Sequence, residues 1–520
     1  MNNRTVFFSF VCLVAVLIFT FAGCAPRENS GSGSGLDFPP EVETPGGEES
    51  DLPDTRRPLP EGELSVDDTL EVALANNREL QIERLEIPRS ELNIIQNEAE
   101  FDPRLSATAR QSSRLTERER ETREGFRVTE GRSRRISGDI GLSKQFWTGT
   151  EIGAEFGALA DRIDEQYETD LELDISQPLL RGAGRVNLVG LESAELAAQI
   201  TRHQLEGYLD SLLEEVEMAY WDLVLARERR EILRRDVELA EENLREVQRR
   251  IELGRLAADE EAAARARLAS ARGRWLDARD QYREHKLRFL QKLNIDGWEN
   301  FDSDLRLVDP PDPADDIAPR EQWLRMAEKN RPELGEARLR LRNEELELIR
   351  TADGLLPRLD FFVTLGTTGY ADSFSDAIDD MDGSSYNISG GLNFNLPLGR
   401  RRERAADDRS RISRRQQELS LQNLEETVML DVRQAHMALE RTRRQIEATE
   451  TVREEREATL RAEEARFRAG KIAYIQVARA RQELTESRLD ELEAVIDHRR
   501  ARVRLYRLAG RLAERRGFAF

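Results

Sequence analysis

A long heptad pattern is the feature that most limits how this chain can fold. Counting by four and three residues from Leu205 to Ile251, nearly every step meets an apolar residue, and only Arg230 interrupts the row. The row comprises Leu205, Leu209, Leu212, Val216, Ala219, Leu223, Ala226, Arg230, Leu233, Val237, Ala240, Leu244, Val247 and Ile251. A 3.5-residue period sustained this far predicts an under-wound helix in a left-handed supercoil.

A similar row occurs in the second half of the chain. Its members are Leu421, Leu424, Val428, Val432, Ala435, Leu439 and Ile446. Continued back to the strands that precede them, both helices are predicted to span about 60 residues, or ~90 Å at 1.5 Å per residue. Such lengths lie far above the average for a helix in a globular protein.

The chain also carries an internal duplication. Asn76, Glu79, Leu80, Pro103, Arg104 and Leu105 recur 254 residues later as Asn330, Glu333, Leu334, Pro357, Arg358 and Leu359. Ala219, Leu223 and Gly254 recur 216 residues later as Ala435, Leu439 and Gly470. The smaller offset means that the first copy holds extra residues, mostly within 111–167. The duplication predicts a first repeat over 64–296, a linker over 297–316, a second repeat over 317–516 and a tail over 517–520.

Each repeat contains segments in which apolar and polar residues alternate. The apolar positions are Ile136, Ile140 and Leu142; Leu171, Leu173 and Ile175; Leu359, Phe361, Val363 and Leu365; and Ile388, Leu392, Phe394 and Leu396. This period predicts half-buried strands, either in a soluble sheet or in a barrel with lipid outside and water inside. Segments 136–146 and 152–158, joined at 147–150, predict an additional hairpin that either joins such a barrel or decorates it.

The N-terminus predicts export from the cytoplasm. Arg4 precedes an apolar run over 6–21 that is too short for a good membrane-spanning helix and ends at Phe21-Ala22-Gly23-Cys24. This sequence resembles a bacterial lipobox, so we predict a signal peptide over 1–23 and a covalent lipid on Cys24. An ordinary cleaved signal peptide is the alternative. Ala25, in place of the Asp that resembles an inner-membrane retention signal, favours the outer membrane. Residues 24–63 are rich in Gly, Ser, Pro and acid and predict a disordered linker.

Composition narrows the possible functions. Only 39% of residues are hydrophobic, 35% are charged, and the formal net charge is −22. This balance is lean for a globular enzyme, and the negative charge argues against binding nucleic acid. The histidines are His203, His285, His436 and His498, and none has the spacing of a metal ligand. We therefore predict no catalytic, metal or cofactor site, and a protein that is not an enzyme.

Three local motifs connect this chain to a known family. They are the 176–182 segment SQPLLRG after a strand, the 219–223 segment AYWDL in the first long helix, and the 466–470 segment RFRAG at a turn. In this order, and with the duplication, they resemble the TolC family of outer-membrane efflux proteins over 64–513. The resemblance implies an α+β membrane protein: a homotrimer whose outer-membrane β-barrel continues into a long periplasmic α-helical barrel. Four strands per chain would give twelve strands in the trimer.

The two helical-hairpin turns are the main candidate sites. Gly254, Arg255 and Leu256 occupy positions that match Gly470, Lys471 and Ile472. Both glycines predict helix C-caps. The resemblance adds a second role, in which exposed Leu256 and Ile472 contact a periplasmic adaptor, or membrane fusion protein. Asp259, Glu260 and Glu261 follow the first turn, where they either complement the helix dipole or form an acidic ring at a constricted mouth.

These features predict a passive exit duct in the cell outer membrane. Its partners would be the adaptor, an inner-membrane transporter and outer-membrane lipid, in a system for efflux or for type I secretion. The alternative is a structural coiled-coil lipoprotein that acts as a periplasmic spacer. The duplicated alternating strands favour the duct, because a spacer needs no strands. The sequence leaves the cargo open.

Overall fold

The computed structural model describes residues 63–122, 125–161, 166–254, 256–295, 305–310, 318–381 and 385–518, with the side chains of 116–133 excepted. The signal peptide over 1–23, Cys24 and the linker up to residue 62 lie outside the described residues. The α-helices are α1 (Val66–Asn76), α2 (Arg78–Glu98), α3 (Val189–Glu252), α4 (Asp259–Leu293), α5 (Arg320–Asn330), α6 (Pro332–Gly354), α7 (Phe374–Asp379), α8 (Arg401–Arg468), α9 (Tyr474–Leu508) and α10 (Leu512–Arg515). Among the described helices, none combines the length and apolar composition that a membrane span requires.

The strands are β1 (Glu63–Leu64), β2 (Arg104–Thr122), β3 (Gly125–Gln145), β4 (Glu151–Asp161), β5 (Gln166–Pro178), β6 (Arg306–Leu307), β7 (Arg358–Ala371) and β8 (Tyr386–Asn395). The chain divides into two compact units. The strand unit contains Glu91–Glu195 and Asn343–Arg415, and the helical unit contains the described residues of Leu52–Ser90, Leu196–Arg342 and Gln416–Phe520. Each unit draws on both predicted repeats, and the repeat boundaries themselves stay a prediction.

The strand unit is built on one antiparallel sheet. Its order is β2-β3-β4-β5-β7-β8, so each strand pairs with the next of these along the chain. The predicted extra hairpin is β3 with β4, and it lies inside the sheet between β2 and β5. Our expectation of four strands per chain was therefore wrong. The described residues supply six strands to this sheet.

The helical unit contains the main hydrophobic core. The predicted row on α3 is buried or half-buried at every position from Leu205 to Ile251. The hydroxyl of Tyr220, a buried residue of this core, lies within hydrogen-bond distance of the Asp309 carboxylate at 2.9 Å and of the Leu64 carbonyl at 3.1 Å. It thereby fixes α3 to the short parallel pair of β1 and β6. The interrupting residue, Arg230, stacks over the Tyr282 ring at 4.2 Å.

The second predicted row is also confirmed on α8. Val428, Val432, Ala435, Leu439 and Ile446 are buried, and Leu421 and Leu424 are half-buried. Most of this row packs in a second cluster that includes Trp323 and Ala327 of α5 and Leu505 and Leu508 of α9. The heptad periodicity therefore identified the packed side of both long helices.

Candidate functional site

The sheet of the strand unit has one apolar face. Successive register pairs place Ala107, Ile140, Phe156, Leu171, Thr367 and Tyr386 in a single row across the six strands. Because strand side chains alternate, the residues two before and two after each of these share its face. Many of the large apolar residues on this face are exposed, including Leu105, Ile140, Ile388, Leu392 and Phe394. An uncovered apolar surface of this extent marks a membrane or protein contact.

The opposite face is polar and acidic. Asp139, Glu155, Asp170, Glu172 and Asp174 form an acidic band in the middle strands, β3 to β5. Glu155 lies directly opposite Glu172, an arrangement of like charges that destabilises a strand pair. Thr364 of β7 donates a hydrogen bond of 2.8 Å to Asp174. A face with this composition suits contact with water and cations.

The two edges of the sheet are free. Among the described residues, β2 pairs only with β3, and β8 pairs only with β7. A free edge presents unpaired backbone N–H and C=O groups. Within a membrane these groups require partners, because the hydrocarbon region supplies none.

The passage from β5 to α3 is fixed by the 176–182 motif together with Asn187 and Asp353, which the sequence analysis did not single out. Gly182 has a positive φ of 84°, and its N–H donates to the Asp353 carboxylate at 3.0 Å. The amide of Asn187 donates to the Gly182 carbonyl at 2.9 Å. A Cβ on Gly149, in the turn between β3 and β4, would lie 2.3 Å from that carbonyl. The 176–182 motif therefore anchors the helix-proximal end of the sheet.

Both predicted glycine caps have the expected backbone geometry. Gly254 has a φ of 66° and donates to the Ile251 carbonyl at 2.8 Å. Gly470 has a φ of 70° and donates to the Phe467 carbonyl at 2.9 Å, while the N–H of Lys471 donates to the Arg466 carbonyl at 3.0 Å. The second pattern is a Schellman motif, which favours glycine because it requires a left-handed residue.

The exposed apolar residues at these turns are not the ones that the sequence indicated. Leu256 and Ile472 are half-buried, so the expectation that both are exposed was wrong. Leu253 is 67% exposed and Ile475 is 53% exposed. Each lies three residues from a predicted contact residue in the sequence. Arg255 lies outside the described residues.

The ends of the two hairpins pack against each other. Val247, Ala264, Tyr474 and Ala478 form a small buried cluster, against which Phe467 also packs. The guanidinium of Arg250, in the last turn of α3, lies 5.0 Å from the centre of the Phe467 ring. The structure thus brings the two sequence-predicted turns into one local surface of the helical unit.

The three acidic residues after the first turn lie in the first turn of α4. Glu261 accepts hydrogen bonds from Gln248 at 2.9 Å and from Arg265 at 2.7 Å. These two donors lower the pKa of Glu261. Asp259 is exposed and Glu260 is half-buried. Their position fits the interaction with the helix dipole, and the acidic mouth stays a prediction.

No metal-binding cluster of three or more His, Cys, Asp or Glu side chains occurs in the described part of the chain. His498 is buried in the helical unit and lies 3.1 Å from the hydroxyl of Thr442. Burial lowers its pKa, which favours the neutral imidazole. The geometry therefore fits a core histidine that is hydrogen-bonded to a neighbouring helix.

A comparison with known protein families identifies the family of this chain. The family described as outer membrane efflux protein matches residues 69–293 and 323–511. The chain belongs to this family. An outer membrane efflux protein is a transport component of the outer membrane rather than an enzyme, and it serves as an exit duct of efflux systems.

Solved structures show the same fold. CusC superposes with a TM-score of 0.65 at 16% identity, over 86% of this chain and 92% of that one. OprN, an outer-membrane channel, superposes with a TM-score of 0.64 at 18% identity, over 86% of this chain and 89% of that one. The CmeC outer-membrane channel of Campylobacter jejuni superposes with a TM-score of 0.63 at 15% identity, over 86% of this chain and 85% of that one. No curated protein sequence matches the chain. The predicted TolC-like α+β fold is confirmed.

Proposed function

We propose that three copies of this outer membrane efflux protein form a passive channel-tunnel. The sheets, with six strands from each copy, close an outer-membrane barrel of eighteen strands. The long helices continue as a periplasmic α-helical barrel. The apolar face of each sheet contacts lipid, and the acidic face lines the water-filled interior.

The observation that carries this proposal is the two-faced sheet with two free edges. An uncovered apolar face needs an apolar environment, and free edges in such an environment need further strands. Closure by identical copies supplies both requirements. The structural spacer, our alternative function, explains the long helices but gives no role to the apolar face.

The partners proposed for this duct are a periplasmic adaptor and an inner-membrane transporter, which supplies the energy for export. The cargo belongs to an efflux or a type I secretion system. Cys24 carries a lipid that adds a second hold on the outer membrane. Replacing Cys24 by Ser is expected to abolish incorporation of labelled palmitate, whereas unlabelled wild-type protein would contradict the lipid anchor.

Reconstitution of the purified trimer in planar bilayers tests the duct directly. We expect a conducting pore with a preference for cations, because carboxylates dominate the polar face of the sheet. Replacing Glu172 by Gln and Asp174 by Asn is expected to reduce the cation preference measured from the reversal potential. A trimer that stays closed under every gating condition would contradict the proposal. Resistance of the strand unit to external protease separates a barrel from a spacer.

The ends of the hairpins are proposed to dock to the adaptor through Leu253 and Ile475. Their exposure leaves an apolar surface for a partner to cover, and an introduced carboxylate there would have to be desolvated on binding. We expect Leu253→Asp with Ile475→Asp to leave the trimer intact, to abolish export and to reduce cross-linking to the adaptor. Leu239→Asp is the matched control, because Leu239 is an exposed leucine of α3 away from the turn.

The corresponding change at Leu256 and Ile472, the positions predicted from the sequence, distinguishes this pair from Leu253 and Ile475. Leu256→Asp with Ile472→Asp places charges on half-buried side chains, so a loss of stability is expected in addition to any loss of docking. If the Leu253 and Ile475 variant exports normally, these residues do not form the docking surface. If it fails to form trimers, they belong to the fold.

A further inference from the structure

The apolar face of the sheet carries charged residues on one strand only, among the side chains that the structure describes. On this face β2, β4, β5, β7 and β8 contribute no Asp, Glu, Lys or Arg there. The inserted strand β3 differs, because strand alternation places Arg134 and Lys144 on the same face as Ile140. Between these two cations, the face carries Ile136, Gly138, Ile140 and Leu142.

The separation of the two cations matches the thickness of a membrane. Arg134 and Lys144 are ten residues apart. Ten residues of strand extend about 33 Å, and a strand tilted by about 40° rises about 25 Å over that length, which is also the height of the apolar band of an outer-membrane barrel. The sheet narrows at the same level, since β4 pairs with β3 as far as Arg135 and the described pairing of β3 beyond it is with β2 alone.

Lys144 has apolar neighbours on its face. It lies opposite Ile152 of β4, and its ammonium lies 5.3 Å from the centre of the Phe146 ring. It pairs with no carboxylate among the described residues. A lysine on a lipid-facing surface is unfavourable in the middle of a bilayer and tolerated at its borders, where its flexible side chain reaches the headgroups. The anion that Lys144 lacks within the chain would come from those headgroups.

The turn that follows Lys144 has the character of a membrane interface. Trp147 is 57% exposed, and Trp is enriched at membrane borders because its ring is apolar and its N–H is polar. The backbone of the turn is held by the passage from β5 to α3. The Trp147 carbonyl accepts from the Asn187 amide at 3.3 Å, and the Thr148 carbonyl accepts from the Gly184 N–H at 3.0 Å.

We propose that Lys144 binds the phosphate of an anionic phospholipid in the periplasmic leaflet of the outer membrane, with the Phe146 and Trp147 rings against its acyl chains. Arg134 marks the opposite border of the same lipid-facing segment. The inference rests on the proposed barrel, which puts the helix-proximal end of the sheet on the periplasmic side. The inserted hairpin thus adds a lipid contact that β7 and β8, which carry no charge on this face, do not provide.

Retention of lipid by the full-length protein tests this contact. We expect native mass spectrometry of the detergent-purified protein to show bound phosphatidylglycerol, with an affinity about fivefold lower in Lys144→Gln and preserved in Lys144→Arg. Lys292→Gln is the matched control, because it removes a lysine of the helical unit that pairs with Glu215 at 2.9 Å. Glycerol phosphate has the same phosphate without acyl chains and should not displace the lipid. Displacement would show a site for free phosphate and overturn the lipid contact.

Membrane depth gives a second readout. In a chain with Cys12→Ala and Cys24→Ser, a spin label on Ile140→Cys should be shielded from a water-soluble nickel quencher in vesicles of phosphatidylethanolamine and phosphatidylglycerol. Labels on Arg134→Cys and Trp147→Cys should lie near the headgroups.

The two readouts separate this contact from the proposed function. A label on Ile140→Cys that water reaches would overturn the proposed barrel. A label embedded in lipid at that position, together with equal lipid retention by Lys144→Gln and the wild type, would overturn the lipid contact and leave the proposed function standing.

Discussion

The two long helices α3 and α8 share a heptad row but differ in the rest of their surface. On α3, the apolar residues gather in one buried row around Tyr220, Trp221 and Leu223, with few large apolar side chains exposed. On α8, the buried row is interrupted by Thr442 and Thr449. A further set of large apolar residues is exposed on α8: Leu419, Met429, Leu430, Met437 and Val452.

This difference indicates that α3 completes its packing within one chain and α8 does not. A helix with one apolar row needs one packing partner, whereas a helix with apolar residues on two sides needs two. The trimer proposed for this protein would provide the second partner. One ion pair on each helix points in the same direction: Asp236 of α3 is enclosed with Arg267 of α4, whereas Arg453 of α8 and Glu491 of α9 are both about a quarter exposed.

The largest expected effect on stability comes from replacing Asp236, a buried carboxylate of α3. Asp236 accepts hydrogen bonds from Arg267 at 2.6 Å and Arg274 at 3.0 Å, and both arginines lie on α4. The Thr485 hydroxyl of α9 donates to it at 3.3 Å. Asp236→Ala leaves the buried guanidinium of Arg267 and the half-buried guanidinium of Arg274 without their counter-charge. We therefore expect a loss of about 3–5 kcal/mol in the free energy of unfolding.

The matched change on α8 sharpens the comparison. Arg453 of α8 lies 2.8 Å from Glu491 of α9, but both side chains are about a quarter exposed. Glu491→Ala is expected to lower the free energy of unfolding by no more than about 1 kcal/mol. Denaturant unfolding followed by circular dichroism measures both variants. Equal losses would show that α3 and α8 do not differ in the way that their burial indicates.

An effect smaller than that at Asp236 is expected at Asp210, which also lies on α3. Burial raises the pKa of this carboxyl to about 6, although its carboxylate accepts the Ala513 N–H at 3.0 Å. Glu333 and Glu206 raise this pKa further, and Arg507 opposes them. A raised pKa means that the carboxyl favours the folded state below the unfolded-state pKa of about 4, and that this stability is lost as the pH rises through about 6.

Asp210→Asn removes that dependence. We expect the melting temperature of the variant to exceed that of the wild type at pH 7.5, where the gain in the free energy of unfolding is at most about 3 kcal/mol. The difference should vanish near pH 4. Asp277→Asn, which removes an exposed carboxylate of α4, serves as the control. A difference that is constant from pH 4 to 7.5 would show that the carboxyl does not titrate in this range.

The smallest change in single-chain stability is expected on the exposed side of α8. Leu430→Glu with Met437→Glu replaces side chains that water already reaches, so unfolding of the monomer should change by no more than about 0.5 kcal/mol. The trimer should dissociate more readily, because the changes place charges where another copy is proposed to pack. Size-exclusion chromatography with light scattering measures the trimer fraction. An unchanged fraction would remove α8 from the proposed interface.

Local periodicity allowed much of this fold to be read from the sequence. The buried rows of α3 and α8, the hairpin of β3 and β4, and the glycine caps each depend on residues within one or two turns or on neighbouring strand positions. Such patterns record which side of an element faces the core. The same patterns predicted β5, β7 and β8, whose alternation is regular.

Only the tertiary structure decided the remaining features, because each depends on residues far apart in the chain. β2 lacks a regular apolar row, and its pairing with β3 makes it a strand. Leu253 is exposed and Leu256 is half-buried because of how the hairpin ends pack, which no local period encodes. Asp236 resembles any acidic residue on a charged helix until α4 and α9 bring Arg267 and Thr485 to it. Periodicity fixes the face of an element, but burial and partners depend on what the rest of the chain places against that face.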